Sequence, residues 1–160
     1  MKKILFIIAI TVSMITTAQV NNVSLQASGL TCSMCSNAIN KALRTLDFVL
    51  DVDADIKTYT FKISFKPNSV IDFDKIRKKV VDAGFTVYAF IADIYFDNVQ
   101  VKKDLPVTVQ EKKLFFINTG DQVLNGNKLV KILDKGFVSP REYKKNQFSD
   151  LSLGTFHVSL

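Results

Sequence analysis

The order in which apolar residues change their spacing restricts the fold of this chain more than any other property. Val20-Asn21-Asn22-Val23-Ser24-Leu25-Gln26-Ala27 reads as an extended run. It gives way to Ala38, Ile39, Ala42, Leu43 and Leu46, spaced by three and four as on one face of a helix. A second extended run, Phe48 to Asp53, precedes the turn-prone Asp53-Ala54-Asp55-Ile56-Lys57. Strict alternation follows, with Tyr59, Phe61, Ile63 and Phe65 on one face and Thr60, Lys62 and Ser64 on the other. Pro67-Asn68-Ser69 stops that strand, and Asp72 can cap a helix whose apolar face is Phe73, Ile76, Val80 and Val81 and which ends at Gly84. Phe85 to Ala92 is a fourth extended run. Strand, helix, strand, strand, helix, strand in about seventy residues predicts the split βαβ, or ferredoxin-like, arrangement. Both helices then cover one sheet face, and the loop after the first strand lies at an edge of the molecule. Such folds host many functions, so the site must supply the functional argument.

That first loop is Gly29-Leu30-Thr31-Cys32-Ser33-Met34-Cys35. Cys32 falls in the turn and Cys35 in or near the first helical turn, where unpaired N–H groups and the positive end of the helix dipole favour a thiolate. Two ionisable sulfurs at one exposed point suit a soft metal ion or a reversible disulfide.

Residues from about Val20 to Ala92 resemble a heavy-metal-associated domain, the module of copper chaperones and of the N-terminal regions of metal-transporting P-type ATPases. The family pattern Gly-Met-Thr-Cys-x-x-Cys is matched by Gly29 to Cys35, and a later Gly-aromatic pair by Gly84-Phe85. The resemblance implies that Cys32 and Cys35 bind Cu(I) and that Phe85 packs beneath the metal loop. Leu30 replaces the family's Met, a residue that packs into the core, so the exchange should cost little. Two thiolates without a nearby His, Asp or Glu suit a two-coordinate d¹⁰ ion, Cu(I) first and Hg(II) second. Zn(II) is disfavoured because a structural site asks for four ligands. Zinc-selective relatives often carry an acid beside the first Cys, where this chain has Thr31. Met34 is expected to point to solvent rather than to ligate.

Competing uses of the pair are a periplasmic thiol-disulfide oxidoreductase, a structural disulfide, and a metal-sensitive switch on an interaction module. Neither Trp nor Pro accompanies the pair as a thioredoxin-like site would suggest. A bridge closing so short a loop removes little chain entropy. Metal capture and transfer is the leading expectation, with no catalytic residue assigned and no enzymatic activity expected. The expected partners are the metal ion and a metal-transporting ATPase or other copper-handling protein.

Met1-Lys2-Lys3 and the apolar Ile4 to Val12, followed by Thr16-Thr17-Ala18, read as a signal peptide over residues 1–18. Export is expected, to the periplasm of a Gram-negative cell or otherwise by secretion, with membrane contact only through the leader before cleavage. Loss of Lys2 and Lys3 lowers the formal net charge of +6 by two. The remaining lysines are scattered among acids, which excludes a nucleic-acid footprint as the reading.

The leader and a heavy-metal-associated domain at 19–93 are expected to be followed by a small, mostly β domain at 94–160. Asp93 to Asn98 is the expected junction, and its short apolar character predicts docked units. Val107-Thr108-Val109 and Lys113 to Ile117 are strand candidates, Asn125-Gly126 signals a hairpin, and Ser139-Pro140-Arg141-Glu142 starts a short helix running to about Phe148. Gly154 to Leu160 ends the chain as a strand. Several short strands with one helix predict a small barrel of OB-like form, so the whole is α+β. Phe115, Phe116, Phe137, Tyr143 and Phe148 are expected in its core. His157, the one histidine, is expected at an exposed or edge position; its sharper reading is a third ligand for the Cys pair.

Overall fold

The computed structural model describes residues 18–31, 33–102, 105–117, 119–146 and 154–160. The expected signal peptide, Cys32 and Phe148 lie outside them, apart from Ala18. The fold is α+β and mostly strand. β1 (Ala18–Ser28), α1 (Ser33–Arg44), β2 (Val49–Asp55), β3 (Thr60–Phe65), α2 (Phe73–Asp82) and β4 (Thr86–Val101) follow the predicted order. They form the ferredoxin-like unit, with neighbours β2-β3-β1-β4 all antiparallel.

Local chemistry accounts for the helix ends. Asp72 Oδ1 accepts from the Lys75 N–H at 3.0 Å and caps α2. At its far end the Gly84 N–H donates to the Val81 carbonyl and the Phe85 N–H to the Val80 carbonyl, a Schellman closure that needs Gly84 at φ +90°. Phe73, Ile76 and Val80 of α2 and Ile39 and Leu43 of α1 are buried against Val23, Leu25, Phe61, Ile63 and Phe90 of the sheet. Val81 does not join them: it is 46% exposed, because it sits one position round the helix from Val80 and faces the rim.

The sheet continues through β5 (Val107–Val109), β6 (Lys112–Phe116), β7 (Gln122–Ile132) and β8 (Thr155–Ser159), with α3 (Pro140–Asn146) before β8. The full order is β2-β3-β1-β4-β7-β8-β6-β5, with β6 and β8 parallel. β4 passes unbroken through residues 93 and 94 and pairs with β7 from Ile91 to Val101, so the strands expected to form an OB-like barrel join the ferredoxin-like sheet through one shared strand. β5 bends back toward β1 and β4. Asn125-Gly126 is not a hairpin turn but lies within β7, where Gly126 at φ +75° borders a bulge opposite Asp97 and Asn98. Pairing along the whole of β4 outweighs the local turn preference.

Four rings close the seam between the two halves. Phe73 of α2 and Phe90 of β4 stand 5.2 Å apart; Phe137 lies 5.2 Å from Phe90, and Phe156 of β8 lies 5.4 Å from Phe137 and 5.6 Å from Phe73. Phe116 and Phe137 are buried as expected, whereas Phe115 and Tyr143 are half-buried.

Candidate metal centre

β1 delivers the chain to the loop, and two contacts hold its end. The Ser28 and Thr86 hydroxyls lie 2.7 Å apart, tying the last residue of β1 to the first of β4. Gly29 turns the backbone at φ +89°, a conformation that carries a steric cost for any side chain; a Cβ there would meet Phe85 Cδ1 at an unstrained 4.0 Å. Conformation rather than space therefore selects glycine. Phe85, set by the Schellman closure of α2, packs partly buried beneath this turn. Leu30 is buried, occupying the apolar position read for it, and Thr31 is exposed.

α1 begins at Ser33, which puts Cys35 in its first turn, half-buried against the core. No acidic residue shares that turn, while Lys41 and Arg44 occupy the last one. The positive helix end therefore carries no carboxylate in its own first turn beside Cys35, and a helix N-terminus favours a thiolate. Met34 is 80% exposed and points away from the core. Ser36, the next residue, is buried, and its hydroxyl has no hydrogen-bond partner. Among the described residues no three His, Cys, Asp or Glu side chains converge as a metal cluster.

His157 departs from its expected edge position. β8 lies inside the sheet between β7 and β6, and the His157 side chain is only 11% exposed. Its Nδ1 stands 2.7 Å from Asp134 Oδ1, and its backbone N–H donates to Asp134 Oδ2 at 2.7 Å. β4 and β7 separate β8 from β1 in the sheet, so the sharper reading of His157 as a third ligand finds its ring engaged with Asp134 instead.

One polar feature escaped the sequence reading. Lys112 is 5% exposed, with its ammonium 4.9 Å from the centroid of the Phe73 ring, and burial pulls its pKa down. The readable signal was parity: Lys112 shares the inward face of β6 with Leu114 and Phe116. Burial also raises the Asp74 carboxyl, partly opposed by Arg77 at 3.6 Å.

Residues 24–86 match the heavy-metal-associated domain family. A probable copper-transporting ATPase of Arabidopsis thaliana, HMA5, is 40% identical over 60 residues, which is 38% of this chain and 6% of the ATPase. The chain therefore spans a small fraction of that relative. Among solved structures, the yeast copper transporter domain Ccc2A, studied in apo and Cu(I)-loaded states, is 31% identical, with 42% of this chain and 90% of that one covered at a TM-score of 0.37. Oxidised MerP from Ralstonia metallidurans is 29% identical, with 44% and 97% covered and a TM-score of 0.38. Residues 24–86 of this chain are a heavy-metal-associated domain.

Proposed function

We propose that the chain captures Cu(I) between Cys32 and Cys35 and passes it to an acceptor by ligand exchange, without catalysing a reaction. The observation that carries this reading is the seat of Cys35, in the first turn of α1 shortly after the Gly29 turn, a turn of helix without an acidic residue. Sulfur donors select a soft ion, and a two-coordinate Cu(I) leaves room for an incoming thiolate before an outgoing one departs. Copper keeps its oxidation state throughout, and Hg(II) would enter by the same bonds. The 40% identity over 60 residues to a probable copper-transporting ATPase supports copper as the cargo and a metal-transporting ATPase or another copper-handling protein as the acceptor. Residues 1–18 serve in this reading as a leader that exports the chain, to the periplasm in a Gram-negative cell.

The test is anaerobic competition of the reduced protein against a chromogenic Cu(I) chelator. One equivalent should be withheld from the chelator by the wild type and released by Cys32→Ser and Cys35→Ser. Competition by the wild type no better than by the double variant ends the proposal. Insulin reduction by the same preparation, in place of copper retention, would assign the sulfurs to thiol-disulfide exchange.

A further inference from the structure

We propose that the groove beside the metal loop is a docking site for an acidic segment of the metal acceptor, a segment carrying carboxylates around a large apolar side chain. This rests on the carrier reading above and adds to it where, and by what chemistry, the acceptor is held.

The groove is built by both halves of the chain. Val81 and Val87 form one wall, and Val138, Pro140 and Tyr143 the other, around a cavity of about 490 Å³. That is room for a bulky side chain and its neighbours. The groove reaches the metal loop through Thr86, which lines it and whose hydroxyl stands 2.7 Å from that of Ser28, the residue before Gly29. Val81 is the apolar residue that α2 leaves uncovered, and the groove is where it faces.

Charge identifies the occupant. Lys135 and Lys144 line the groove, and Arg141 and Lys145 are exposed on the same short helix. Two acids nearby are paired with other cations, Asp82 with Lys78 at 2.7 Å and Glu142 with Lys131 at 2.6 Å, and Asp134 turns to the ring and backbone N–H of His157, each at 2.7 Å. Lys135, Arg141, Lys144 and Lys145 form no ion pair among the described residues. An apolar floor bordered by Lys135 and Lys144, with Arg141 and Lys145 close by on α3, is complementary to an apolar side chain flanked by carboxylates, and such complementarity sets orientation and encounter rate. The wall is also held in place before any partner arrives. The Ser139 hydroxyl caps α3 by accepting from the Glu142 N–H at 3.2 Å, and Phe137 anchors the preceding turn in the aromatic seam. Little ordering is then needed on binding, which favours affinity.

The experiment titrates the purified, reduced protein with a fluorescein-labelled Asp-Glu-Leu-Asp-Phe-Glu-Asp peptide, read by anisotropy at low ionic strength. A counterpart with Lys at every acidic position is the comparison. Saturable binding of the acidic peptide alone is expected, weakened about tenfold by Lys135→Glu with Lys144→Glu and by Val81→Asp, as for charge and anchor losses at an interface. Lys57→Glu, in the exposed β2–β3 turn, should leave it unchanged. Equal binding of both peptides, or by the wild type and the Lys135→Glu/Lys144→Glu variant, overturns the docking site. Cu(I) retention is measured separately on the same samples. Retention in all variants with charge-selective binding supports both readings, whereas lost retention in the wild type alongside intact peptide selectivity removes the carrier and leaves the groove.

Discussion

Phe137→Ala tests whether the two halves of the chain unfold as one body. Phe137 is 2% exposed and meets Phe90 and Phe156 edge-on, with interplanar angles of 87° and 83°. The Arg77 guanidinium carbon lies 5.4 Å from its ring centroid. Truncating a buried Phe costs about 3–5 kcal/mol in transfer and cavity terms. Edge-to-face pairs are worth about 0.5–1.5 kcal/mol each beyond area. Arg77 Nε, already buried without a hydrogen bond, would lose the ring that covers the guanidinium. The loss should therefore reach at least the middle of that range, about 4 kcal/mol. Against a total of about 5–15 kcal/mol for an ordinary domain this is severe. Urea unfolding followed by tyrosine fluorescence and by far-ultraviolet dichroism should give one coincident transition in the wild type, since β4 is shared by both halves. The variant's midpoint should fall by about 2 M, taking a slope near 2 kcal/mol per molar. A loss below about 1 kcal/mol, or two separate wild-type transitions, would refute the shared-core reasoning.

Ser36→Ala removes a buried hydroxyl without a partner and should raise stability by about 1 kcal/mol while leaving Cu(I) retention unchanged; a lower urea midpoint would show that the hydroxyl is used. Asp72→Ala removes the side-chain acceptor at the start of α2 and should cost about 1 kcal/mol, with Asp72→Asn retaining most of it; equal loss in both variants counts against the cap. Lys112→Met should raise stability at pH 7. The folded state binds the Lys112 proton more weakly than the unfolded chain does, so the burial penalty is full below the folded pKa and fades as pH rises toward 10.5. The wild type should accordingly gain stability relative to the variant as pH rises from neutral toward 10.5, in urea midpoints taken along that rise. A constant difference would sink the assignment.

Features governed by neighbours in the chain are legible in the sequence. The Asp72 cap, the closure at Gly84, the alternation through Phe61 and Ile63, and the place of Cys35 at a helix start each depend on a few consecutive residues. Where expectation and structure part, a distant element is responsible. Val81 faces the groove made with Val138 and Tyr143, and the Asn125-Gly126 turn signal is absorbed as a bulge by pairing with β4. His157 is held by Asp134, 23 positions away in sequence, and Lys112 is covered by the Phe73 ring.

By itself the sequence determined the order of strands and helices, the ends of α2, and the place of Cys35 in the first turn of α1, because backbone sterics and local hydrogen bonds act over a few residues. Only the tertiary structure decided that β4 would run for 16 residues and carry both halves in one sheet, and that an apolar groove bordered by lysines would open beside the end of β1. Strand pairing and ring packing join residues far apart along the chain, and no local pattern records which distant partner prevails.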